Sequence, residues 1–144
     1  MEVKQISAAL GAEIKNVNLA HVSDDQVEEI KSLLTEHKVI FFPGQKLSQD
    51  EHVEYGAKFG ELEGHPNLKN KTVTHPKIFE LAASSGGIAD EWHTDITFQD
   101  SPAIMSVLHM VKCPELGGDT MWSNLNAAYE AVSYTHLTLP TTML

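Results

Sequence analysis

The chain has 144 residues, 42% of them hydrophobic and 21% charged, with twenty acidic residues against ten basic ones and a formal net charge of −10. That is the composition of one globular domain, which excludes a disordered chain, and lysines scattered singly along it leave no electrostatic footprint for nucleic acid or anionic lipid. All ten basic residues are lysine, so a guanidinium fork for a carboxylate or phosphate is excluded within these residues.

In chain order, residues Val3 to Leu19 alternate between apolar and polar around Gly11, which predicts a strand, a turn and a second strand. Ser23-Asp24-Asp25-Gln26 is a capping box, and Val27, Ile30, Leu33 and Leu34 follow at helical spacing, so a helix is expected from Asp24 to His37. The apolar run Val39-Ile40-Phe41-Phe42, closed by Pro43-Gly44, predicts one buried strand. A second box, Ser48-Gln49-Asp50-Glu51, opens a helix that Val53, Ala57 and Phe59 would anchor before Gly60 stops it. Beyond Gly60, short apolar stretches alternate with glycines, prolines and polar turns, which predicts a mostly β region. Cys113 has no partner for a disulfide or a C-x-x-C zinc pair. No apolar run approaches the ~20 residues of a membrane span and no secretory leader is visible, so a cytoplasmic protein with no membrane or nucleic-acid partner is expected.

Chemistry concentrates at Glu91-Trp92-His93-Thr94-Asp95-Ile96-Thr97-Phe98. If this stretch is extended, His93 and Asp95 share one face. An imidazole and a carboxylate so placed can bind one metal ion from neighbouring positions, and one further histidine would complete the facial triad of a non-haem iron(II) site. A bare H-x-D also serves as a surface hydrogen-bonding pair, so the context decides between them. His21, His37, His52, His75 and His109 read as surface or half-buried residues. No G-x-S-x-G elbow, P-loop or G-x-G-x-x-G turn occurs.

The ordered set Trp92-His93-Thr94-Asp95-Ile96-Thr97-Phe98, Pro102, Gly117-Gly118-Asp119-Thr120-Met121-Trp122 and Ala127-Ala128-Tyr129-Glu130-Ala131 resembles the iron(II)- and 2-oxoglutarate-dependent dioxygenases of the taurine dioxygenase and dichlorophenoxyacetate dioxygenase type. Leu10-Gly11-Ala12-Glu13-Ile14, Val39-Ile40-Phe41-Phe42 and Phe59-Gly60-Glu61-Leu62 resemble the family's opening elements. The resemblance implies an α+β fold, a partial double-stranded β-helix (a clavaminate synthase-like jelly roll) with N-terminal helices. It also implies iron(II) held by His93 and Asp95, the 2-oxoglutarate carboxylate bound by the Thr120 hydroxyl, and an anionic substrate met by His65 and Ile96. The implied reaction uses dioxygen, decarboxylates 2-oxoglutarate to succinate and hydroxylates a small organic acid such as a sulfonate, sulfate ester or aryloxyalkanoate. Leu68 and Ala89 depart from the residues of the taurine enzyme, which points away from taurine itself.

The resemblance ends near Ser133, before the family's second iron histidine and its 2-oxoglutarate arginine. The expectation is a taurine dioxygenase-like domain over residues 1–133, a non-native or disordered tail over 134–144, and a truncated, inactive chain whose full-length parent forms a homo-oligomer. Two other readings stand beside it. A non-catalytic β-sandwich binding module derived from the same family is favoured by the missing arginine, and a zinc hydrolase is disfavoured by having two placed ligands where zinc takes three or more.

Overall fold

Gly11 makes the N-terminal hairpin possible. In the computed structural model, which describes residues 1–63, 75–82 and 90–132, Gly11 has φ +99°, a left-handed value that side chains rarely tolerate. The turn folds β1 (Glu2–Gln5) back on β2 (Ala12–Lys15) in antiparallel register, Val3 opposite Ile14 and Gln5 opposite Ala12. The Ile6 N–H donates to the Gly11 carbonyl at 3.0 Å, and a Cβ on Gly11 would lie 3.0 Å from Ile6 Cγ1. Gly11→Ala is therefore expected to destabilise the chain by about 1–3 kcal/mol, read as a lower urea midpoint at unchanged slope.

Helix α1 spans Asp24–His37, as the capping box predicts. The Gln26 N–H donates to Ser23 Oγ at 3.3 Å while Gln26 Oε1 accepts from the Ser23 N–H at 3.0 Å. Val27 and Ile30, three apart on one face, are buried, and His37 at the last turn is buried too, more deeply than its sequence context suggests. Lys38, at φ +68°, ends the helix by donating its N–H to the Leu34 carbonyl at 2.8 Å. The chain then enters β3 (Ile40–Phe41), which pairs parallel with β2, Ala12 beside Ile40. The sheet order is β1-β2-β3. In β2, Ala12 and Ile14 are fully buried while Lys15 is exposed and bridges Glu13 at 2.7 Å, the alternation of a strand with one covered face.

The described residues divide into two compact units. The first contains Met1–Asn18, Ser23–Gln45 and the described residues from Pro114 on, hence the sheet, α1 and the last helix. The second contains Leu19–Val22 and the described residues of Lys46–Cys113. Its helix α2 (Gln49–Ala57) opens on the expected box, with Glu51 Oε2 accepting from the Ser48 N–H at 2.7 Å; those bonds hold the Glu51 carboxyl below its ordinary range. Tyr55 and Phe59 meet edge to face at 5.1 Å, and burial pushes the Tyr55 hydroxyl up to about 12.

Two expectations need correction. Tyr55 and Gly56, rather than Val53 and Ala57, are the buried residues of α2, and the helix ends at Ala57 before Phe59, where the chain tightens into i→i+3 bonds, the Lys58 N–H donating to the Tyr55 carbonyl at 3.2 Å and the Phe59 N–H to the Gly56 carbonyl at 3.1 Å. The region after Gly60 is not mostly β among the described residues: it holds no strand and one helix, α3 (Leu125–Ala131), capped by Asn124 Oδ1 accepting from the Ala127 N–H at 3.1 Å. A strand needs a laddered neighbour, and among the described residues no backbone hydrogen bond links 100–123 to another segment. Residues 105, 107 and 109 are half-buried while 104, 106, 108 and 110 are exposed, so the period of two is present without a ladder. His52 Nε2 lies 3.0 Å from the Val107 carbonyl, and its ring meets that of His109 at 5.7 Å. The stretch expected as a tail, 134–144, lies outside the described residues. Among the described residues no helix is long and apolar enough to cross a membrane.

Candidate functional site

His93 and Asp95 belong to the second unit, and the structure brings their side chains together as expected. The stretch is not a strand. Its backbone bends at Asp95 and Ile96, with Ile96 at φ +43°. In an extended chain, residues two apart stand about 6.6 Å from each other on one face, a span that an imidazole and a carboxylate can close. Here His93 Nε2 lies 3.4 Å from Asp95 Oδ1. Two donor atoms each about 2.1 Å from one ion, at angles between octahedral and tetrahedral, stand about 3.0–3.4 Å apart, so the pair fits a shared metal.

The other ring nitrogen fixes the tautomer. Nδ1 is 2.8 Å from the Glu91 carbonyl, which can only accept, so Nδ1 donates there and Nε2 is the ring nitrogen that faces Asp95. A histidine that ligates through one nitrogen and donates from the other to a carbonyl has its ring orientation held for the metal. The side chains are 58% and 65% exposed, and at that exposure a plain ion pair contributes little to stability, so holding the fold is a poor account of the arrangement. Among the described residues no cluster of three or more His, Cys, Asp and Glu forms, so these two atoms are the whole donor set seen there.

Two contacts near the pair were not read from the sequence. Thr94 Oγ1 and Thr97 Oγ1 are hydrogen-bonded at 2.6 Å, flanking Asp95 and Ile96, and the Gln99 N–H donates to the Ile96 carbonyl at 3.1 Å. The signal was the pair of threonines three apart around the carboxylate, a spacing that lets two hydroxyls meet across a bend. Ile96 itself is half-buried.

Thr120 lies in the first unit, exposed, after Gly117 at φ +78° and Gly118 at φ +74°. Among the described residues its hydroxyl has no hydrogen-bond partner, which leaves it open to an acceptor from outside. Its segment is tied down within that unit by Trp122, whose ring meets Phe41 edge to face at 5.2 Å, and by Asn124, whose Nδ2 donates to the Ala9 carbonyl at 2.7 Å. The capping asparagine ahead of an Ala-rich run was the available signal for this anchor. His65 lies outside the described residues.

Comparison with known proteins agrees with the motif order. Residues 2–137 match the family described as "Taurine catabolism dioxygenase TauD, TfdA family". An alkylsulfatase of Acinetobacter baylyi is 40% identical over 135 residues, covering 90% of this chain and 41% of that protein. An alpha-ketoglutarate-dependent sulfate ester dioxygenase of Pseudomonas putida is 39% identical over 132 residues, covering 90% of this chain and 44% of that one. The crystal structure of a taurine dioxygenase from Burkholderia xenovorans superposes with a TM-score of 0.77 at 37% identity, over 94% of this chain and 49% of that chain. The chain thus spans less than half the length of these relatives, 41–49%.

Proposed function

Because the chain belongs to the TauD/TfdA family of taurine catabolism dioxygenases, we propose that it carries the first part of the active site of an iron(II)- and 2-oxoglutarate-dependent dioxygenase for a small organic acid. A sulfonate, sulfate ester or aryloxyalkanoate is the substrate class, in keeping with the names of the relatives. The observation that carries this reading is the 3.4 Å approach of His93 Nε2 to Asp95 Oδ1, with Nδ1 committed to the Glu91 carbonyl. Residues 1–133 belong to the taurine dioxygenase-like domain, its complete architecture a double-stranded β-helix, working in the cytoplasm.

His93 and Asp95 would hold iron(II), which when bound activates dioxygen with 2-oxoglutarate as the source of electrons. Asp95 neutralises one positive charge and His93 contributes a neutral donor, so the ion keeps positions free for other ligands. Thr120 donates its hydroxyl hydrogen to a 2-oxoglutarate carboxylate oxygen. His65 meets the substrate anion, and Ile96 offers an apolar side chain beside the metal-binding carboxylate.

The experiment is a titration of the purified chain with 2-oxoglutarate in the presence of Co(II) as an air-stable stand-in, together with an assay of succinate under Fe(II) and air. The expected result is binding without succinate, since the chain contains no arginine and two placed ligands. Thr120→Ala is expected to weaken 2-oxoglutarate binding about ten- to hundredfold, the loss of one hydrogen bond to a charged group. Unchanged binding in Thr120→Ala would return this residue to a turn position after two glycines. Total absence of 2-oxoglutarate and metal binding would favour the non-catalytic module, for which the missing arginine is the specific observation.

A further inference from the structure

Between its bends at Ile104 and Val111 the chain runs without a turn, and its side chains alternate, 105, 107 and 109 half-buried against 106, 108 and 110 exposed. It is an extended strand without a neighbour. In such a chain the N–H and C=O of one residue point to the same edge and those of the next residue to the other, so residue parity tells the two edges apart. The Val107 carbonyl accepts from His52 Nε2 of α2 at 3.0 Å, which puts the main-chain groups of 105, 107 and 109 on the α2 side. Those of Ser106, Leu108 and Met110 face the opposite edge, where among the described residues no main-chain hydrogen bond reaches them. Sheet edges are ordinarily kept single by charged side chains, proline or a covering segment. From Ala103 to Val111 there is neither charge nor proline, and Leu108 and Met110, 65% and 57% exposed, add apolar surface beside the open edge.

We propose that this edge pairs with the same edge of a second copy of the chain, in an antiparallel ladder centred on Leu108. Two copies at −10 each repel one another, and an uncharged stretch is where that repulsion is weakest. A second copy also supplies the self-complementary patch that a two-fold axis requires. Centring on Leu108 is the register in which Ser106, Leu108 and Met110 are all paired: Leu108 exchanges both hydrogen bonds with its counterpart, and Ser106 lies opposite Met110 of the second copy. The two Leu108 side chains then stand side by side with the methionines on the diagonals. The other edge lies against α2 through His52, so pairing stops at two copies. A ladder of a few residues is a small interface, and association is expected in the micromolar to millimolar range. None of this draws on the metal reading of His93 and Asp95, which stands or falls separately.

The test is sedimentation equilibrium of the 144-residue chain from about 1 µM to about 1 mM. The mass is expected to rise with concentration from 15.9 kDa toward twice that value and no further. Leu108→Lys, at an exposed position, is expected to hold the mass at one copy, because it sets two ammonium groups directly opposite each other. Crosslinking in a Cys113→Ser background, which removes the native thiol, reads the register. Under mild oxidation Leu108→Cys is expected to give a disulfide-linked pair, since its two Cα atoms stand about 5.5 Å apart. Ser106→Cys, with about 14 Å between copies, is expected to give none. A one-copy mass at every concentration overturns the proposal and leaves the edge to a different polypeptide. Growth beyond two copies, a two-copy mass that survives Leu108→Lys, or equal crosslinking in both cysteine variants overturns it as well.

Discussion

His93→Ala and Asp95→Ala are each expected to remove measurable Fe(II) or Co(II) binding from the chain, a loss greater than about a hundredfold. The estimate follows from the size of indirect effects: residues that only orient a ligand cost ten- to a hundredfold when removed, so loss of the donor itself costs more. With two placed donors among the described residues, either variant leaves one, and one side-chain donor does not hold iron(II) against water. Asp95→Asn is expected to fall between, since it keeps an oxygen donor but gives up the charge. Glu91→Ala is the informative control. The His93 ring is held by the Glu91 main-chain carbonyl, so deleting that side chain leaves the tether and the affinity in place. Binding retained at parental strength in Asp95→Ala would move the pair to the class of surface ion pairs.

Ile14→Ala and Ile30→Ala are each expected to destabilise the first unit by about 2–5 kcal/mol, measured as urea midpoint shifts. Among the described residues they are the two largest side chains that are fully buried, Ile14 on the covered face of β2 and Ile30 on the buried face of α1. Truncation removes transfer free energy and leaves a void that a sheet and helix close only in part. Against a total of about 5–15 kcal/mol for a native domain, either loss is large, and the pair together is expected to unfold the unit. Glu13→Gln, by contrast, breaks a solvent-accessible ion pair with Lys15 and is expected to leave the urea midpoint nearly unchanged. A loss below about 1 kcal/mol in Ile30→Ala would mean that the core lies elsewhere.

The first half of the chain was legible because its signals are local. Ser23 and Gln26 satisfy each other across one turn, Val27 and Ile30 mark the face of the same helix, and Gly11 supplies a φ that few other residues adopt. Each of these is settled within a few residues of itself, so α1 has the bounds that the sequence predicts, and Ser48 with Glu51 starts α2 where expected. The end of α2 was misread because its last turn tightens into i→i+3 bonds, a change that helical spacing does not encode.

The sequence by itself determined the family motif order, the hairpin, the two capped helices and the residue types of the metal pair, all of them properties of short windows of chain. Only the tertiary structure decided that β3 pairs parallel with β2, that Trp122 and Asn124 anchor the Thr120 segment on Phe41 and Ala9, and that the chain bends at Asp95 and Ile96. An H-x-D in an extended stretch predicts side chains on one face, and the side chains do converge, while the chain turns just after them at an Ile96 whose left-handed φ propensity disfavours. The physical reason is common to these cases. Capping and periodicity act between neighbours along the chain, whereas ladder partners, ring contacts and strained dihedrals are chosen by groups that meet only once the chain has folded, and their combined contacts outweigh the local preference of any one residue.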